Sequence, residues 1–278
     1  MPVSKQLFPS LVALTASAVM ITAEAQTPPP PPPAPPAPEP EYTLTANVGI
    51  FSQYVFRGVS QTNEKPAIQG GFDFSHKSGF YLGTWASNIS WLSDAVSGTE
   101  LKVSAPIEWD FYGGYKGTLP MDFGYDIGGL YYYYPGNYPG NGYTKPDTFE
   151  VYGALSWKFV SVKYSYSTGH TFGFADSSGS SYVEGNLTYD VLDKVSDMIG
   201  KLTVIGHVGH QWFKGSTAGF NNSAFNYTDW KIGASVDALG VTLGLFVTDT
   251  NANKDLYTNP FGKKIADTQV VGYVQKTF

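Results

Sequence analysis

The chain has 278 residues, with 17 Lys and Arg against 23 Asp and Glu, a net charge of −6 and no cysteine. An acidic balance argues against a nucleic-acid partner, which calls for a basic excess, and the lack of Cys removes disulfides and thiolate metal sites. Only 14% of the residues are charged, against about 25% in ordinary globular chains, while 16% are aromatic, with 20 Tyr and 31 Gly.

Residues 1–25 read as a secretory signal: Lys5 gives a positive start, Leu7 to Ile21 is mostly apolar, and Ala23-Glu24-Ala25 has the form of a cleavage site. The apolar stretch is broken by Pro9, Ser10, Thr15 and Ser17, too short a run for a membrane helix of about 20 residues. Residues 26–41 form a linker around the tract TPPPPPPAPPAPEP. Successive prolines lack amide donors and hold φ near −65°, which favours an extended polyproline spacer over a sheet strand. Composition alone gives the tract no docking partner.

From residue 42 onward the chain falls into about twelve segments of alternating character. Their expected spans are 43–57, 67–76, 79–89, 105–115, 121–134, 148–158, 160–169, 181–191, 201–213, 227–238, 241–249 and 266–278. Most are close to the 9–11 residues that a tilted membrane strand needs. The connections alternate as well, long then short, with the connection around residues 192–200 longer than its parity predicts. Membrane barrels sort their loops in this way, whereas a soluble sandwich has no reason to. The expected fold is therefore all-β, an antiparallel transmembrane barrel of about twelve strands over 42–278, with short periplasmic turns and long extracellular loops. An even count places both ends of the barrel on the periplasmic side.

The two faces of the segments differ. In 121–134, Met121, Phe123, Tyr125, Ile127 and Tyr131 oppose Asp122, Gly124, Asp126 and Gly128; in 105–115, Ile107, Trp109 and Phe111 oppose Glu108 and Asp110. Charge facing lipid is costly, so the acidic set is assigned inward. The candidate lumen-lining residues are Arg57, Asp73, Glu108, Asp110, Asp126, Glu150, Glu184 and Lys231. The same rule adds Asp122, Asp190, Asp229 and Asp237, with Lys158 and Lys163, and leaves acids in excess. Tyr, with an apolar body and a polar tip, is assigned to the membrane–water boundary.

No catalytic, cofactor or metal site is expected. His207 and His210 are three apart on a strand and face opposite ways. His170 alternates away from Ser165 and Ser167, and no nucleophile elbow occurs.

Tyr54-Val-Phe-Arg-Gly-Val-Ser-Gln61, Pro66-Ala-Ile-Gln-Gly-Gly-Phe72 and Gly79-Phe-Tyr-Leu-Gly83 resemble the opening of the TorF-type porins of Gram-negative bacteria. Gly128-Gly-Leu-Tyr-Tyr-Tyr-Tyr-Pro135, Thr228-Asp-Trp-Lys-Ile-Gly233 and the Lys276-Thr-Phe278 end are similar to later segments of that family. The resemblance covers 43–278 and implies an outer-membrane location. It also implies contact with outer-membrane lipid and recognition of Phe278 by the outer-membrane assembly machinery, although Lys276 stands where an apolar outward residue is expected. The expected function is a narrow, mildly cation-preferring channel for passive diffusion of small solutes or ions. The alternatives are a structural or adhesive barrel with no conductance and, less favoured, an outer-membrane hydrolase. Arg57, placed at the top of the first strand, either lines a constriction or holds a nearby acid such as Asp73.

Overall fold

In the computed structural model, residues 40–140, 142–196 and 198–278 are described; residues 1–25, expected to be a secretory signal, and residues 26–39 of the expected linker lie outside them. Twelve antiparallel strands close into one barrel. They are β1 (Tyr42–Phe51), β2 (Ala67–His76), β3 (Phe80–Asn88), β4 (Ile107–Leu119), β5 (Phe123–Tyr133) and β6 (Thr148–Trp157). The sheet continues through β7 (Val160–Ser167), β8 (Ser181–Leu192), β9 (Ile199–Trp212), β10 (Tyr227–Ala238), β11 (Val241–Thr250) and β12 (Gln269–Thr277). Each strand pairs with its sequence neighbours, and β1 closes on β12 in register from Asn47 opposite Thr277 to Phe51 opposite Tyr273. Closure leaves no sheet edge with unpaired backbone groups, which is the condition for crossing a bilayer with strands.

Alternation then divides the side chains. Leu44, Ile68, Phe72, Ile127, Leu155, Ile232 and Leu245 all point outward and are exposed, Leu44 by 69% and Phe72 by 68%. Aromatic residues ring both rims of this apolar band. Tyr42, Phe80, Tyr115 and Trp157 stand at the short-turn end, and Trp109, Phe149, Tyr166 and Trp230 at the other. Such a band with aromatic girdles suits hydrocarbon flanked by two interfaces. Lys276 is outward but lies at the short-turn end, where its Nζ donates to the Gly240 carbonyl at 2.6 Å.

The connections 77–79, 120–122, 158–159, 193–198 and 239–240 sit at one end, and 52–66, 89–106, 134–147, 168–180, 213–226 and 251–268 at the other. Asp122 and Lys158 belong to the short turns, with φ of 61° and 54°. Their expected inward placement is corrected, because a turn residue in the left-handed region does not continue the strand alternation. The first strand likewise stops at Phe51, well short of Arg57.

The interior is built unevenly along its length. The buried apolar clusters lie inside the long-loop half, where loop residues such as Tyr54, Val59, Ile89 and Leu92 pack against Tyr132, Tyr134, Phe213 and Tyr227. The short-turn half is lined instead by tyrosines laid across glycines of the next strand: Tyr112 opposite Gly83, Tyr152 opposite Gly128, and Tyr273 opposite Gly244. A Cβ on any of these glycines would overlap the facing ring. Many tyrosines therefore serve the lumen rather than the membrane boundary to which composition assigned them.

Candidate functional site

The connection 52–66 does not project into solvent. Val55-Phe56 pairs with Val59-Ser60 as a small hairpin whose corner is Arg57-Gly58. Both corner residues have positive φ, 46° and 78°, the backbone of the tight two-residue turns that match strand twist. Glycine is required at the second position twice over. A side chain there would be strained by its φ, and its Cβ would collide with Thr250 and Asp229 on the barrel wall. The corner thus lies against the inner wall, with Arg57 inside the barrel.

Arg57 meets β6 and β9 there. Its Nη1 donates to Glu150 Oε1 at 3.1 Å and to Gln211 Oε1 at 2.7 Å, and its Nη2 donates to Glu150 Oε2 at 2.8 Å. The guanidinium is stacked on the Tyr182 ring at 4.1 Å and lies 4.8 Å from the Phe56 ring. The fork of two parallel N–H bonds on one carboxylate is the strong form of this pair. Of the two roles expected for Arg57, lining a constriction or holding an acid, it holds an acid, but that acid is Glu150 on β6 and not Asp73, which instead accepts from Tyr112 Oη at 2.6 Å.

Further contacts tie the hairpin to the wall and to two other loops. Tyr54 Oη donates to Glu108 Oε1 at 2.6 Å, and the Ser60 amide donates to the Ile265 carbonyl at 2.8 Å. The amides of Ser90 and Trp91 both donate to the Gln61 carbonyl, and Lys263 pairs with Glu64 at 2.7 Å. Glu108 and Glu150 are each only 1% exposed. These two acids and Asp110 point inward, but the hairpin covers them.

Above the hairpin, Phe56, Trp91, Phe172, Phe174, Phe213, Phe225 and Tyr257 wall a cup of about 360 Å³ at the long-loop end. Below it, Lys163, Tyr182, Glu184, Asn186, His207, Asp229 and Lys231 line a polar chamber of about 300 Å³. Arg57 and Phe56 border both spaces, so the hairpin is the partition between them. Within the chamber Tyr182 Oη donates to Asp229 Oδ2 at 2.8 Å, and His207 Nε2 lies 2.9 Å from Asp229 Oδ1. Lower still, Tyr81 Oη donates to Asp126 Oδ1 at 2.6 Å and is hydrogen-bonded to Tyr152.

The eight candidate residues are therefore distributed over three levels. Arg57, Glu150, Glu108 and Asp110 belong to the plugged half, Glu184 and Lys231 to the chamber, and Asp73 and Asp126 to the tyrosine-lined well. Gln211, Tyr182 and Asn186 take part in the same network without having been singled out from the sequence, as does His207, which enters from the sequence only as a metal-ligand candidate. The alternation rule would have found them had it been applied to uncharged polar residues as well as to charges.

His207 faces inward and His210 outward, where its ring lies 4.2 Å from that of Trp212. Among the described residues no group of three His, Asp or Glu side chains could hold a metal ion. Ser165 and Ser167 are buried inside, while His170 is exposed at the rim.

The profile of a family described as "Bacterial protein of unknown function (Gcw_chp)" matches residues 36–278. The chain belongs to this family. No curated protein matches this Gcw_chp chain. Among solved structures, the KdgM porin is 10% identical, with a TM-score of 0.48, over 84% of this chain and 99% of that one. LpxR from Salmonella typhimurium is 9% identical, with a TM-score of 0.43, over 84% and 99% of the two chains. The NanC porin is 10% identical, with a TM-score of 0.42, over 84% and 98%. Likenesses this distant carry no argument about solute or chemistry, and the barrel of this Gcw_chp chain rests on its own strand pairing.

Proposed function

We propose that this Gcw_chp member is an outer-membrane channel for small polar solutes or ions, closed in the described state by the 52–66 hairpin. One observation carries the reading: the hairpin that divides the lumen is held by side-chain contacts and by bonds to other loops, and is not a strand of the barrel. A segment of that kind can leave without opening the sheet. The wall behind it is already lined with polar side chains, including Glu108, Glu150, Gln211 and Asp229, as a solute path requires. Short turns at the end shared by both barrel termini support a periplasmic assignment for that end. Of the segments that resemble TorF-type porins, the first, Tyr54 to Gln61, includes the hairpin that occludes the lumen.

The same reading makes the open path narrow. Twelve strands fall between the roughly 8 of barrels filled by side chains and the 16–18 of wide porins. A slight cation preference is supported by Asp73, Asp126, Glu184 and Asp237 against Lys116, Lys163 and Lys231 in the short-turn half, where Asp190 is paired with Lys201 at 2.9 Å. The larger acid excess counted over the whole chain includes Glu108, Asp110 and Glu150, which the hairpin covers.

The test is planar-bilayer recording of the refolded protein beside a variant with residues 54–64 replaced by a short Gly-Ser link. The intact protein should conduct weakly or intermittently, and the shortened one steadily. A folded, shortened barrel that passes no current would reject the channel and favour the structural or adhesive reading.

A further inference from the structure

Lys163 on β7 and Lys231 on β10 face the chamber beneath the hairpin. The other charged groups bordering that chamber are already engaged. Arg57 is forked onto Glu150, Asp229 accepts from Tyr182 and faces His207, and Glu184 Oε2 accepts from Asn186 Nδ2 at 3.1 Å. His207 has no capacity left either. Its Nδ1 lies 2.7 Å from Asn186 Oδ1, and its Nε2 faces Asp229.

The two ammonium groups differ from all of these. Among the described residues, neither forms an ion pair within 4.0 Å. Each lies over a ring face, Tyr152 at 4.1 Å from Lys163 Nζ and Phe246 at 5.3 Å from Lys231 Nζ, and the Glu184 carboxylate acts on both from beyond ion-pair distance. A ring face attracts a cation but leaves the three N–H donors of each ammonium to find oxygen acceptors. A half-buried ammonium is costly unless such acceptors meet it. The unspent capacity of the chamber is thus mainly donor and positive. The exception is the second oxygen of Glu184, directly across the strand pair from Lys163, which can accept a hydroxyl hydrogen.

We propose that this chamber binds a small hydroxylated solute through an anionic oxygen group, a carboxylate or a phosphate, held by Lys163 and Lys231. The proposal rests on the channel reading and deepens it, naming the class of solute that pauses below the hairpin. A volume of about 300 Å³ is at the lower end of small-molecule sites, which limits the solute to about the size of one sugar. The weak cation preference of the short-turn half is a property of its summed field, whereas this site is a local contact, and the two are measured separately.

Calorimetric titration of the refolded mature chain in a non-ionic detergent at low ionic strength tests the site. The probes are gluconate for the carboxylate, glucose 6-phosphate for the phosphate, and glucose as the neutral control. One or both anions should bind, with glucose at least about tenfold weaker, because a charge-assisted contact is lost. Lys163→Met and Lys231→Met should each weaken anion binding about tenfold, and Lys163→Arg with Lys231→Arg should retain most of it. Heat-modifiable migration and far-UV circular dichroism establish that each variant is folded, and Lys163→Gln and Lys231→Gln serve where a Met variant is not. Equal binding of glucose, undiminished binding by the folded neutral variants, or no binding of either anion would overturn the site. Failure to bind in a barrel that conducts removes the site and leaves the channel; failure of the hairpin-shortened barrel to conduct removes the channel itself.

Discussion

Arg57 carries a charge into the barrel on a corner residue and is met there by a carboxylate that is itself buried. Removing one partner of such a pair leaves the other charge uncompensated, at a cost of about 3–5 kcal/mol. Arg57→Met should therefore lower the unfolding free energy of the refolded barrel by that order in urea titrations, and Arg57→Met with Glu150→Gln should recover much of the loss. If the double variant is as unstable as the sum of the two single ones, the pair is not coupled as its 2.8 Å geometry implies. The tyrosine–glycine contacts are a second residue-scale device. A Cβ at Gly244 would overlap the Tyr273 ring, whereas one at Gly153 meets nothing within 4 Å. Gly244→Ala should cost about 1–3 kcal/mol through overpacking, and Gly153→Ala should stay within about 0.5 kcal/mol of the parent; equal effects in the same titration would show that the rings do not rest on the glycines.

As an element, the 52–66 hairpin behaves as a separate piece docked on the wall. Its strand pairs are short, Val55 with Ser60 and Phe56 with Val59, and its tip fits only because Gly58 has no side chain. Gly58→Val should push the tip away from Asp229 and Thr250 and, on the channel reading, raise the conducting fraction in bilayer recordings while leaving the barrel heat-modifiable. Unchanged conductance in that variant would show that the tip does not control the path. The proline tract is the other element outside the barrel sheet as it is read from the sequence. Deleting residues 26–40 should leave a barrel that still folds in detergent, because prolines supply almost no donors for sheet pairing; loss of heat-modifiability would make the tract part of the fold.

Across the whole molecule, the lengths of the connections and the apolar band define an orientation. Single cysteines introduced at Leu239, in a short turn, and at Asn259, in a long loop, have no background to contend with, since the chain contains no Cys. Asn259→Cys should be labelled by an impermeant reagent on intact cells and Leu239→Cys only after the outer membrane is breached; the reverse pattern would invert the topology. In bilayers the shortened-hairpin protein should show a small reversal potential toward cation preference across a salt gradient. The preference should fade as ionic strength rises, because the acids near strand ends are screened over about 8–10 Å. Anion selectivity there would mean that the local field of Lys163 and Lys231 outweighs the acids of the well.

The sequence by itself determined the number of strands, their faces and the sorting of loops by length, because a closed membrane sheet imposes a period of two and a fixed crossing length on every segment. Alternation alone placed Asp73, Asp126, Glu184 and Lys231 on the inner set. The positions of Asp122 and Lys158 were not legible from it, since the rule ends where a turn puts φ above zero. Nor could it reveal that 52–66 folds inward, although Arg-Gly between Val-Phe and Val-Ser is itself a hairpin signal. A loop's direction depends on what it meets: Glu150 on β6, Gln211 on β9 and Asp229 on β10 are far apart in the chain and converge only when the barrel closes. That closure alone decides which acids are covered by the plug, which lysines lack a direct ion pair, and whether a tyrosine rests on glycine or faces lipid.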